Sequence, residues 1–251
     1  MLDGDLNQAA GLQGLALQSG QRVLALASHG NQQGELPLLW NLCASLVDFG
    51  FPVVVLDATT PESTENPGLA QLLSQSVWPE EVLDESAAWS VVPAARGLQQ
   101  LSLQANAQTQ VMTSLSRLFS AFGVLVIYAR AEVLSQLLAG SGMAPLLTVS
   151  SVKMSSVTAY QALKHLLHNA GLRPTLAHLS SDPISKTIAT LPAAVKNLQD
   201  CAMTFLDYRL DSITVRTSAA QDGPSDDINR LVLRLLEQAM PLQRHHAGRV
   251  Y

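Results

Sequence analysis

Charge is what this sequence has least of. Charged residues make up 14% of its 251 positions, against roughly 25% in an ordinary soluble domain. Lys and Arg together number 15 and Asp and Glu 20, for a formal net charge of −5. That balance excludes a general polycation that holds nucleic acid through bulk charge. It also thins the supply of catalytic acids and bases and of cations for phosphate. Lysine occurs only as Lys153, Lys164, Lys186 and Lys196. Aromatics stand at 5%, so aliphatic packing must carry the core. The two cysteines, Cys43 and Cys201, are far apart in the chain. No run reaches the roughly 18 to 20 apolar residues that span a bilayer. The six histidines form no ligand pattern with Cys or acids, and His165 and His168, three apart on one expected helix, lack a third partner. No metal and no cofactor is therefore expected. The opening residues Met1-Leu-Asp-Gly-Asp5 have neither the basic nor the apolar region of a leader, so the chain reads as cytoplasmic with reduced thiols. Disorder is excluded by a hydrophobic content of 47% with modest net charge.

What is present is alternation. Arg22–Ser28, Pro52–Asp57, Ser90–Pro93, Gly123–Tyr128, Pro145–Val149, Thr175–Leu179 and Ser212–Arg216 are short apolar runs of the kind that form buried strands. Helical segments fall between them at Pro37–Val47, Leu69–Ser76, Leu98–Phe119, Glu132–Leu138 and Ser155–Ala170. An acid-started helix follows over Asp226–Met240. Strand, glycine loop, helix and strand within the first such stretch make a βαβ unit, which crosses over right-handed and builds a parallel sheet. The expected fold is a doubly wound, mostly parallel α/β sheet with helices on both faces, filling residues 21–251. Residues 1–20 stand apart as a short amphipathic helix with apolar Leu6, Ala9, Ala10, Leu12, Leu15 and Leu17. Such a helix adds little core.

In this architecture ligands sit at the carboxyl ends of strands, so the first βα loop is the place to look. A phosphate-binding loop reads G-x-x-x-x-G-K-[ST]: backbone N–H groups cradle phosphate, Lys neutralises its charge, and the hydroxyl takes Mg²⁺. Here the loop is Gly30-Asn-Gln-Gln-Gly34-Glu35-Leu36. Gly34 stands at the last glycine, but Glu35 replaces the lysine and Leu36 the hydroxyl. An anion there reverses the main electrostatic interaction with a triphosphate.

Several stretches, in order along the chain, carry a resemblance. Asn7-Gln-Ala-Ala-Gly-Leu-Gln13 is similar to a D-Q-A-x-G-L-R motif. Ala27-Ser28 through Asn41-Leu42 is similar to the deviant Walker A loop and its helix. Val53-Val-Val-Leu-Asp57-Ala58 is similar to L-L-L-D-A-D. Val91-Val-Pro-Ala-Ala-Arg-Gly97-Leu is similar to I-P-A-x-x-G-L. Ser155-Ser-Val-Thr-Ala-Tyr-Gln-Ala-Leu-Lys164 is similar to P-T-S-x-T-D-A-Y-x-x-I-K. Together they make the chain resemble the MinD/ParA-type ATPases, most closely the flagellar branch FlhG, also called FleN or YlxH. The resemblance implies a P-loop NTPase-like, MinD-like fold.

The departures are equally specific. The loop's two lysines are Gly30 and Glu35, the second acid after the Walker strand is Thr59, and the Walker B strand ends at Tyr128 where the family has aspartate. Asp57 is the one residue of that set retained. Phosphoryl transfer depends on that charge, so the expectation is a pseudo-ATPase with no catalytic residues, and a regulatory interaction module controlling flagellar number, placement or assembly.

The resemblance also implies a partner. In the flagellar branch the N-terminal helix binds the signal-recognition-type GTPase FlhF, which assigns Asn7, Gln8, Ala9, Leu12 and Gln13 to partner binding and Gln8 to stimulation. Recruitment to the cell pole or inner membrane face would go with that role. The apolar face Ile228, Leu231, Val232, Leu235, Leu236 and Met240 is the family's place for a membrane helix, but Asp226, Asp227 and Glu237 favour packing on the sheet. Two alternatives stay open: an active ATPase with a non-standard nucleotide site, and a related regulator of cellulose secretion, polar localisation or plasmid partition.

Overall fold

The computed structural model describes residues 20–74, 88–104, 108–150, 153–180, 192–216 and 225–242. The apolar runs form the strands β1 (Gln21–Ser28), β2 (Val53–Asp57), β3 (Trp89–Pro93), β4 (Val124–Arg130), β5 (Leu146–Ser150), β6 (Thr175–Ser180) and β7 (Ser212–Arg216). They lie in the order β3-β2-β4-β1-β5-β6-β7, all parallel, and a short β8 (Met240–Leu242) pairs antiparallel with β1. Strands covered on both faces show continuous apolar runs, which is why these segments lack a polar face.

Alternate residues still go to different layers. Val23, Ala25, Ala27, Leu125, Ile127 and Ala129 enter one core. Leu24, Leu26, Val124, Val126 and Tyr128 enter the other. On the second face lie α1 (Gln32–Asp48) and α8 (Asp226–Gln238), joined by a Ser45 Oγ to Asn229 Oδ1 hydrogen bond of 2.6 Å. On the first face lie α2 (Leu69–Ser74), α3 (Ala95–Gln104), α4 (Gln108–Leu118), α5 (Ala131–Leu138), α6 (Lys153–Ala170) and α7 (Ala193–Leu206). The fold class is the expected one.

Several boundaries differ. The first helix begins at Gln32 rather than Pro37, because the Asn31 carbonyl accepts both Gly34 N–H and Glu35 N–H at 2.9 Å and winds the loop early. Pro37 thus falls inside the helix, and Glu35 in its first turn. The expected helix over 98–119 starts at Ala95, and its described parts are α3 and α4. Helix α7, whose apolar Val195, Leu198 and Ala202 are buried, was not expected. The last helix stops at Gln238, and Met240 belongs to β8. Pro241 explains that stop, since a residue before proline is pushed out of the helical region. Ile228, Leu231, Val232, Leu235 and Leu236 are buried in the second core, so that face is spent on packing. Among the described residues no helix is long and apolar enough to cross a membrane. Residues 1–19, with the expected partner-binding Asn7, Gln8, Ala9, Leu12 and Gln13, lie outside the described residues.

The chain leaves β1 for α1 on one face and β4 for α5 on the other, while β1 and β4 are neighbours. Their C-terminal ends therefore flank a crevice, the usual ligand position in open α/β sheets.

Candidate functional site

The loop after β1 starts at His29 and Gly30. Gly30 has φ +91°, a left-handed conformation that glycine adopts without steric cost. Gly34 is needed for another reason: a Cβ there would approach the Leu179 side chain to 2.8 Å and the Asn31 amide to 3.1 Å. The loop is fastened sideways. Asn31 Nδ2 donates to Ser150 Oγ at 3.0 Å and reaches Ser155 Oγ at 3.4 Å. His29 Nε2 donates to the Thr148 carbonyl at 2.9 Å, and Nδ1 lies 2.8 Å from Thr158 Oγ1.

Glu35 does not face solvent. Its side chain is fully buried, and both oxygens point back into the loop. One accepts His29 N–H at 3.1 Å and Asn31 N–H at 3.2 Å. The other accepts the Ser28 hydroxyl at 3.0 Å and the Tyr128 hydroxyl at 2.6 Å. His29 Nε2 lies 3.4 Å away. Backbone N–H and hydroxyl donors converging on one anion are how a loop of this type grips a phosphate; here the anion belongs to the chain. Burial, together with the hydrogen bond to Glu35, holds the Tyr128 phenol protonated well above its ordinary range. Tyr128 therefore stays a donor.

Other expected site residues are placed differently. Leu36 is exposed. Asp57, beside Tyr128 in register, accepts Thr59 N–H at 2.8 Å, Thr59 Oγ1 at 2.7 Å and Thr60 Oγ1 at 2.7 Å. Its carboxylate is consumed by its own turn. Lys153 opens α6 beyond β5, on a different element from the loop. Among the described residues no three His, Cys, Asp or Glu side chains gather as a metal site. Cys43 is buried and its thiol is pushed up to about 12 by desolvation, so it stays neutral and unreactive.

Three features escape the sequence. The pairing of Glu35 with Tyr128 is one; an acid in the loop and a hydroxyl at the end of the adjoining strand were its only signal. The role of His29 as a wall between the loop and α6 is another. The third is Glu62, which is buried and accepts Ala70 N–H at 3.3 Å and Gly97 N–H at 3.2 Å, stapling the starts of α2 and α3.

No protein-family model matches the chain, and no curated protein matches it in sequence. Solved structures do match in shape. Cobyrinic acid a,c-diamide synthase from Mycobacterium smegmatis, with bound ATP analog and magnesium, is similar with a TM-score of 0.60 at 16% identity, over 89% of this chain and 99% of that one. MinD in the MinC:MinD cell division complex of Aquifex aeolicus is similar at 0.54 and 15% identity, over 88% and 98%. A ParA family ATPase from Chlorobium tepidum is similar at 0.52 and 13% identity, over 87% and 98%. At such identities the likeness establishes the fold: a P-loop NTPase fold of the MinD/ParA type.

Proposed function

We propose that this chain is a pseudo-ATPase of MinD/FlhG-like form, a regulatory interaction module that works without nucleotide. The observation that carries the reading is the Glu35 carboxylate. It takes the donors with which the loop would otherwise hold a phosphate. A phosphate oxygen brought to within 4 Å of it meets a repulsion of roughly 4 kcal/mol per unit charge at an effective dielectric constant of 20, and finds its donors already engaged. Leu36 has no oxygen for Mg²⁺, and the Asp57 carboxylate is occupied by Thr59 and Thr60. Glu35, Leu36 and Asp57 thus leave the loop and the end of β2 without the cation and metal ligand on which phosphoryl transfer depends.

With the chemistry gone, the scaffold's use is its surfaces. The flagellar reading rests on the N-terminal motif Asn7 to Gln13 and its likeness to the helix that engages an FlhF-type GTPase. MinD, of similar fold, is itself found in a protein complex with MinC, which makes a protein partner the natural ligand class. Calorimetry with Mg-ATP and Mg-ADP tests the pseudo-ATPase reading: no saturable heat and no phosphate release are expected, and micromolar binding with turnover would overturn it. Capture of the flagellar GTPase by wild type and Gln8→Ala tests the partner. Equal capture together with equal GTPase rates would remove the role given to Gln8.

A further inference from the structure

Beside the filled loop is an open cavity of about 450 Å³, between the C-terminal ends of β1 and β4 and the near side of α6. We propose that it binds a small organic oxyanion, a carboxylate or phosphate on a compact polar body, independently of any nucleotide. Arg130 supplies the charge. It lines the cavity and forms no ion pair among the described residues. It is the N-cap residue of α5 and makes no side-chain cap hydrogen bond; the first-turn N–H groups add positive potential at that helix end, which Glu132 in the same turn partly offsets. Gln161 and His165, one turn apart on α6, bring an amide and an imidazole to the opposite wall. Glu132 is the one acid in the lining, and it suits a hydroxyl or ammonium on the ligand's body.

His29 separates this cavity from the Glu35 cradle. Its ring is held between Thr158 and Thr148 and its side chain is 2% exposed, so it stands between the buried carboxylate and an incoming anion. The volume lies in the range of small-molecule sites, and the position is the crevice where the crossovers diverge to opposite faces. The two crevice features have opposite character: one donor set is closed by an internal anion, and the other is left open with a guanidinium that pairs with no acid among the described residues.

The test is a ¹⁵N-edited NMR titration of the full chain with inorganic phosphate and, separately, with malonate, each against sodium chloride at matched ionic strength. Saturable shifts at Gly30, Arg130, Glu132 and Gln161 with either probe are expected; the probe that binds more tightly tells phosphate from carboxylate. Arg130→Gln should weaken binding at least about tenfold, the loss of a charge-assisted hydrogen bond. Gln161→Glu, at an exposed helix position, should do the same by repulsion while leaving the remaining spectrum unchanged. Absence of saturable shifts with both probes, or unaltered affinity in both variants, would overturn the proposal. Neither probe contains a nucleoside or magnesium, so either result leaves the pseudo-ATPase reading to its own calorimetric test.

Discussion

Glu35 and Glu62 are two buried acids with one habit and different consequences. Each accepts backbone N–H groups near a helix start: Glu35 from His29 and Asn31, Glu62 from Ala70 and Gly97. Glu62 fastens two helices of the first face to one another and, among the described residues, accepts from no hydroxyl. Glu35 adds Ser28 and Tyr128 and thereby ties the loop after β1 to the end of β4. A buried carboxylate is then no sign of function by itself. What it holds decides its meaning: Glu35 gathers the donors of one loop, and Glu62 joins two helix starts.

Removing each acid measures that difference. Glu35→Ala leaves two hydroxyls and two N–H groups without their acceptor in a fully buried site. A loss of about 3 to 5 kcal/mol is expected, as for breaking a buried charged network, read from the urea midpoint at constant slope. A loss under about 1 kcal/mol would mean that the loop does not depend on its internal anion. Glu62→Ala strands only two N–H groups, at 3.3 and 3.2 Å, and the Ala70 one is only part-buried. About 1 to 2 kcal/mol is expected, in the range of a lost helix cap. If Glu62→Ala proved the costlier change, the ranking of the two sites by donor number would be wrong.

The same pair of acids shows how far the sequence could be read. The parallel sheet was legible because strands buried on both faces leave unbroken apolar runs, as in Val53–Leu56 and Val124–Ile127. Glu35 drew attention in the sequence because a phosphate-binding loop carries lysine at that place. What Glu35 does instead was not legible. Its partner Tyr128 is 93 positions away, and only the adjacency of β1 and β4 brings them together. Read singly, each residue is a departure from the resembling family's pattern; in space the two share a hydrogen bond. Glu62 gave no signal, since its two N–H donors belong to separate helices and the acid sits in an irregular loop. Helix α7 was hidden by its weak start at Pro192 and Ala193, which offers no capping side chain.

A third buried titratable group sharpens the contrast, because it lacks what both acids have. His178 on β6 is buried, and among the described residues its Nδ1 has no hydrogen-bond partner. Desolvation lowers its pKa below the ordinary 6.5. The folded chain therefore resists a proton that the unfolded chain accepts. Above 6.5 neither state binds it and the group is silent; as pH falls below 6.5 the unfolded state gains the proton first and folding stability drops. His178→Leu should remove that part of the pH dependence. The measurement is the urea midpoint of both proteins between pH 8 and pH 5.5: the wild type should lose more stability than the variant across that interval. Parallel curves would mean that the imidazole finds a partner or water when protonated, and that an unpartnered buried group here is no more pH-sensitive than a fully satisfied one.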